Sequence, residues 1–369
     1  MKIICTQENL KRGLGVASRV SSGSSTLPVL NNVLIKTNEG MLKISSTNLE
    51  IGINTVVRCK VEEGGGVSVP AKTFVNLINN LPATDKISLV LDENNQLIIQ
   101  TDNYKTKIKG LGSDEFPLIP QIEETNTIEI PTKELKQGIS QVAFAAAYSE
   151  TQPEMSGILF DIKENTLKIV ATDRYRLAEK TIQIQNPAGI NKNIIIPSRA
   201  AQELNKILSA APDNETVKFL ISQNQAMFKT ENTELISRLI DGQYPDYKQI
   251  IPKEFNTEIK IKVSDLGAAM RTAGIFTQVG NNVSMEYKEP DSLVISSSSG
   301  ELGESSATIP CQVSGQSGKT IFNHKYILDC LSAIGTEDVT FKLINDNSPA
   351  VLQCEKQQDY LYLVMPIKI

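Results

Sequence analysis

Several residue groups in this 369-residue chain have the types needed for chemistry, and each fails on spacing or setting. Gly315-Gln316-Ser317-Gly318-Lys319-Thr320 offers the glycine, lysine and hydroxyl of a phosphate-cradling loop. That pattern needs a glycine five residues before Gly318, where Val313 stands, so the segment is expected to be a hairpin or linker turn. Gly13-Leu14-Gly15 and Gly110-Leu111-Gly112 are fragments of a dinucleotide fingerprint without a strand-turn-helix setting. The single histidine, His324, cannot build a multi-histidine metal site, and the five cysteines contain no C-x-x-C pair, so neither a metal nor a cofactor is expected. His324 heads a helix pattern and is expected at the surface or an interface. Carboxylates abound, but none stands in an apolar run that would raise its pKa for acid–base work, and Asp173 is expected to shape a turn or pair with arginine. With no nucleophile elbow, H-E-x-x-H or Cys-His arrangement, no catalytic residue is expected, and the chain reads as a scaffold rather than an enzyme.

The elements that position these residues repeat. Helix-period stripes run through Leu10, Leu14, Ala17 and Val20, through Leu135, Ile139, Val142 and Ala146, and through Leu266, Met270 and Ala273; their first leucines lie 125 and 131 positions apart. A second helix opens at Pro70-Ala71-Lys72, Pro197-Ser198-Arg199 and Asn323-His324-Lys325, spaced by 127 and 126. A polar turn after a strand recurs at Thr47, Thr172 and Ser298, spaced by 125 and 126. Generic alternation of helices and strands would not hold one spacing across three landmarks, so the chain is three copies of a unit of about 125 residues. Between the helices lie β-branched or alternating runs closed by turns such as Glu39-Gly40 and Asn94-Asn95. The expected fold is α+β: three domains over 1–122, 127–250 and 254–369, each with two helices packed on about eight mostly antiparallel strands. Pro-bearing polar linkers are expected around Pro120–Thr127 and Ile251–Asn256. No apolar run approaches the roughly 18 residues of a membrane span, the start lacks an apolar leader core, and the odd, scattered cysteines suit a reducing cytoplasm.

The formal charge of −5 argues at first against nucleic acid, but the charges are segregated. The six helix segments carry ten basic residues (Lys11, Arg12, Arg19, Lys72, Lys133, Lys136, Arg199, Lys206, Arg271, Lys325) against five acidic ones, leaving the remainder at −10. A modest basic helix face predicts weak, salt-dependent, sequence-blind phosphate contact. The terminus from Tyr360 to Ile369 is apolar to its last residue, where tails are ordinarily polar; a Met- and Ile-bearing lip of this kind suits peptide docking, or packs on its own domain.

TLPVLNNVLI from Thr26, VATDRYRLA from Val170, DGQYPDY from Asp241 and YLYLVMPIKI from Tyr360 give the chain a resemblance, along essentially its full length, to the bacterial sliding clamps, the β subunits of DNA polymerase III. The resemblance implies three domains of one DNA-clamp fold and a head-to-tail homodimer closed into a ring lined by twelve helices. It implies topological, sequence-independent tethering of the replicative polymerase to double-stranded DNA, without catalysis. It further implies a partner cleft, carried by position onto Met155, Thr172, Arg174, Tyr175, Arg176, Leu177, Pro245, Gln249, Ile250, Val364, Met365, Pro366, Ile367, Lys368 and Ile369. The polymerase α subunit, the clamp loader, repair factors and other proteins with a clamp-binding motif would compete there. Lys11, Arg12, Lys72, Lys136, Arg199, Lys206, Arg271 and Lys325 would face DNA. The joint would pair the edge from Tyr104 through Thr106 to Ile108 with the third domain of a second chain, with Ile275 and Phe276 packing across it. Four positions depart from familiar members: Arg174-Tyr175 replaces a Gly-His pair, Ser24 an arginine, Pro153-Glu154 a tyrosine pair and Thr106 an aromatic. Two rivals fit less well. Six helix-and-strand half-units also evoke the inside-out barrels of enolpyruvyl transferases, but the cations are dispersed rather than convergent; a peptide scaffold unrelated to DNA is the other.

Overall fold

The computed structural model describes residues 1–21, 27–83, 86–123, 127–148, 151–277 and 280–367. Ser24, Lys368 and Ile369, named above, lie outside the described residues. Seven helices are described: α1 (Gln7–Ala17), α2 (Ala71–Asn80), α3 (Thr132–Val142), α4 (Pro153–Ser156), α5 (Ser198–Leu208), α6 (Val263–Ile275) and α7 (His324–Ala333). Except for the single turn of α4, these are the six helices expected from the stripes, two per repeat. α1 starts where Thr6 accepts a hydrogen bond from the Asn9 N–H, and α7 where Asn323 accepts from the Lys325 N–H. Each helix buries its stripe: Leu10 and Leu14, Leu135 and Ile139, and Leu266 and Met270 are at most 1% exposed, worth about 1.5–3 kcal/mol per side chain.

The chain divides into two compact units. The first comprises residues 1–133, 185–188 and 203–239, so it holds the whole first repeat and part of the second. One of its sheets has five antiparallel strands in the order Lys60–Glu63, Lys2–Thr6, Lys86–Leu91, Gln96–Gln100, Lys105–Lys109. The other has nine and joins the repeats: Ile51–Val57 of the first pairs with Thr233–Arg238 of the second, Ile51 opposite Ser237 and Thr55 opposite Thr233. α1 and α2 pack over the core formed by Ile3, Leu10, Val33, Ile44, Phe74 and Leu89.

The second unit holds residues 134–184, 189–202 and 240–369, organised on a twelve-stranded sheet. Here Arg176–Gln183 of the second repeat pairs with Gln357–Val364 of the third, Arg176 opposite Val364. The long strand Gly303–Gly315 changes partner along its length: residues 303–310 pair with Ser292–Ser299, and residues 311–315 with Thr257–Lys262. Gly315 and Gly318 flank a two-residue turn between strands, as expected of that segment. His324 departs from expectation: it is 7% exposed, its Nδ1 lies 3.0 Å from the Asn281 carbonyl, and its ring fills the space a Cβ on Gly274 would need. A glycine opposite a helix start makes room for a ring that would otherwise stay outside.

Candidate functional site

The polar turn after the second repeat's central hairpin is built by its own side chains. Thr172 Oγ1 accepts from the Arg174 N–H at 3.2 Å, and Asp173 Oδ1 accepts from the N–H groups of Tyr175 and Arg176, each at 3.0 Å. The first repeat duplicates it: Thr47 Oγ1 accepts from Leu49 N–H, and Asn48 Oδ1 from Glu50 and Ile51. Leu49 and Arg174 share one left-handed conformation, with φ of 74° and 76°. Asp173 is therefore both the turn former and the arginine partner it was expected to be.

Arg176 anchors this turn from beneath. Its Nε donates to Asp173 Oδ2 at 2.9 Å, Nη1 to Asp329 Oδ2 of α7 at 2.5 Å and Nη2 to the Phe144 carbonyl at 2.7 Å. The guanidinium also lies 4.5 Å from the centre of the Tyr326 ring and 5.5 Å from that of Phe144. Burial opposes its charge, but the hydrogen bond to Asp329 and the charges of Asp173 and Asp329 outweigh it and hold the pKa above the usual value.

The apolar tail closes the site. Met365 N–H donates to the Tyr175 carbonyl at 2.8 Å, and Ile367 N–H to the Ile321 carbonyl at 2.8 Å, so the chain beyond the last strand is laid against the turn. Leu177, Leu363 and Tyr247 pack together with Tyr244 and Met365. The connector after the second repeat is pinned by Tyr247, whose hydroxyl donates to Glu179 at 2.6 Å, and by Lys248, 3.4 Å from Asp161. Burial, with the Glu179 hydrogen bond, raises the Tyr247 pKa above the usual phenol range.

These contacts sort the expected cleft residues. Met155, Thr172, Leu177, Val364 and Pro366 are buried and form a foundation no ligand reaches; Arg176 is committed to its carboxylates. Arg174, Tyr175, Pro245, Gln249 and Ile250 are exposed, with Met365 and Ile367 half-buried, and form the reachable rim. Sequence reasoning gave no role to Asp329, Phe144 or Tyr326, which lie 153, 32 and 150 positions from Arg176. Tyr247 could have been found: an aromatic three residues after another in a polar connector has to pack somewhere.

Of the helix cations, Lys11, Arg12, Lys72, Arg199, Lys206, Arg271 and Lys325 are exposed and Lys136 is half-buried. Lys206 is tied to Glu203 at 2.8 Å. At the expected joint, Tyr104 and Ile275 are 50% and 66% exposed, Thr106 and Phe276 half-buried. Ile108 is a correction: at 6% exposure it belongs to the first unit's own core, leaving only its backbone edge to a neighbour.

Three repeats, two helices each on antiparallel sheets, and a tail folded into a groove beside a polar turn define a three-domain DNA clamp. Models of the N-terminal, central and C-terminal domains of the DNA polymerase III beta subunit match residues 1–120, 129–246 and 248–368. The chain is 32% identical over 357 residues to the beta sliding clamp of Staphylococcus aureus, covering 94% of each chain, and 28% identical to that of Synechocystis over the full length of both. Among solved structures it resembles the DNA polymerase sliding clamp of Bacillus subtilis (TM-score 0.95, 27% identity, covering 100% and 99%). It also resembles the Pseudomonas aeruginosa clamp bound to griselimycin (TM-score 0.95, 26% identity, covering 100% of each). The chain belongs to the DNA polymerase III beta subunit family, the DNA sliding clamps, which are non-catalytic factors for polymerase processivity.

Proposed function

We propose that two copies of this chain close head to tail into a ring around duplex DNA and tether the replicative polymerase, whose α subunit, like the clamp loader and repair factors, docks at the groove beside Tyr175 and Met365. One observation carries this reading. The last strand of the second repeat pairs with the post-turn strand of the first, and the last strand of the third pairs with that of the second. Two edges in this series lack partners among the described residues: Lys105–Lys109, which pairs only with Gln96–Gln100, and the 303–310 half of the third repeat's post-turn strand, which pairs only with Ser292–Ser299. Joining them between two chains continues the rule and covers two edges that would otherwise invite aggregation.

The exposed cations on the helices supply weak contact that permits sliding, and the acidic remainder discourages DNA from lying elsewhere. The exposed rim supports the groove as the dock for short apolar-ended segments. Free thiols at Cys5, Cys59, Cys311, Cys330 and Cys354 fit work in the reducing cytoplasm. The decisive experiment loads labelled protein onto nicked circular DNA and then linearises the circle. Retention on the circle with run-off after cutting is expected; equal retention on both forms overturns topological tethering.

A further inference from the structure

Arg174 is held where an L side chain is costly. Its φ of 76° is imposed by Thr172 Oγ1 and Asp173 Oδ1, and Leu49 takes the same conformation in the duplicate turn of the first repeat. The turn therefore requires left-handed backbone at this position and has no need of a cation; a side chain there costs about 1–2 kcal/mol. Both carboxylates close to the turn, Asp173 and Asp329, are committed to Arg176. No carboxylate of the described residues is within salt-bridge reach of Arg174, whose side chain is exposed beside the 62% exposed Tyr175.

Its place gives this cation a use. The ladder between Arg176–Gln183 and the last strand ends at Arg176 opposite Val364, and one further bond ties Met365 to the Tyr175 carbonyl. Arg174 is the next residue outward, at the mouth of the groove. The other charges of the rim are occupied, Lys248 by Asp161 and Asp246 by Gln249 Nε2 at 2.8 Å. A chain of net charge −5 would on its own repel an acidic segment, and an unpaired guanidinium at the mouth reverses that locally.

We propose that Arg174 is a specificity-determining residue of the groove, selecting partner segments that carry an acidic side chain next to their apolar anchor. The inference rests on the groove being the partner dock. The test measures binding of labelled peptides ending in Leu-Phe and differing only in an Asp, Asn or Lys immediately before that pair. Wild type is expected to bind the Asp peptide about two- to fivefold tighter than the Asn peptide, with the Lys peptide weaker again and the differences shrinking as salt rises. R174E is expected to invert the order. R174G is expected to abolish it without loss of thermal stability, because glycine fits the left-handed turn. If wild type and R174E rank the peptides alike while binding them all, the selector role is overturned and the dock stands. If wild type binds none, the dock itself fails and the selector with it.

Discussion

Cys5 shows how burial at one residue reaches the stability of the molecule. Burial pushes its thiol pKa up to about 12, and burial likewise raises Cys330, Tyr360 and Tyr362. A group whose folded pKa is raised binds its proton more tightly folded than unfolded. Its contribution is complete below the unfolded thiol value, near pH 8.5, and is lost as pH rises toward the folded value. Stability is therefore expected to fall above pH 9, by up to about 1.4 kcal/mol per pH unit for each such group. Urea midpoints of wild type and C5A at pH 7, 9 and 10 would check this; C5A should show the shallower decline, and parallel declines would refute the assignment to Cys5. The sequence made Cys5 visible only as one of five scattered thiols, because burial belongs to the tertiary fold. Arg176 was legible as a member of the cleft but not as its keystone, since Asp329, Phe144 and Tyr326 reach it from distant parts of the chain. Asp173, whose contacts are three residues away at most, was read correctly.

Elements were more legible than contacts because periodicity is local. The stripes placed all six long helices, and the repeat spacing aligned them, whereas nothing local said how near a helix lies to its sheet. α1 carries two glycines that look alike in sequence. A Cβ on Gly13 would sit 2.3 Å from Val57 Cγ2, while one on Gly15 would meet nothing within 4 Å. Gly13 therefore sets the distance from α1 to the Ile51–Val57 strand, and Gly15 is a weak point of helix propensity on an exposed face. G15A is expected to stabilise the protein by about 0.5–1 kcal/mol. G13A gains the same propensity but must displace Val57 from a filled core, giving a net loss of about 1–2 kcal/mol. Thermal unfolding of the two variants would separate them. Equal shifts would mean that α1 does not lean on the strand as described.

At the scale of the whole molecule the repeat makes a quantitative statement about a joint between chains. Ser237 lies opposite Ile51, and Val364 opposite Arg176. The sheet registers make Ser237, Val364 and Ile108 equivalent, since each lies opposite the residue that opens the preceding strand of its hairpin: Ala226, Ala350 and Leu97. On the other side, Gly52 and Leu177 lie opposite Thr47 and Thr172, whereas Glu304 lies opposite Ser298. The third turn thus holds one extra residue, and Gly303 takes the place of Ile51 and Arg176. Ile108 of one chain should therefore face Gly303 of the other, with Thr106 facing Ser305 and Tyr104 facing Ala307. This register keeps Thr106 and Tyr104 on the same face as Phe276, whose ring reaches 4.0 Å from a Cβ built on Gly303, and sets Lys107 against Glu304 on the other. A double variant carrying T106C and S305C is expected, under mild oxidation, to trap a covalent species of about 81 kDa from two 40.4 kDa chains. Moving one cysteine by a single residue, as T106C with E304C, points the two thiols to opposite faces and should lower the yield sharply. Efficient cross-linking of the shifted pair, with little from the first, would show that the ring closes in a different register.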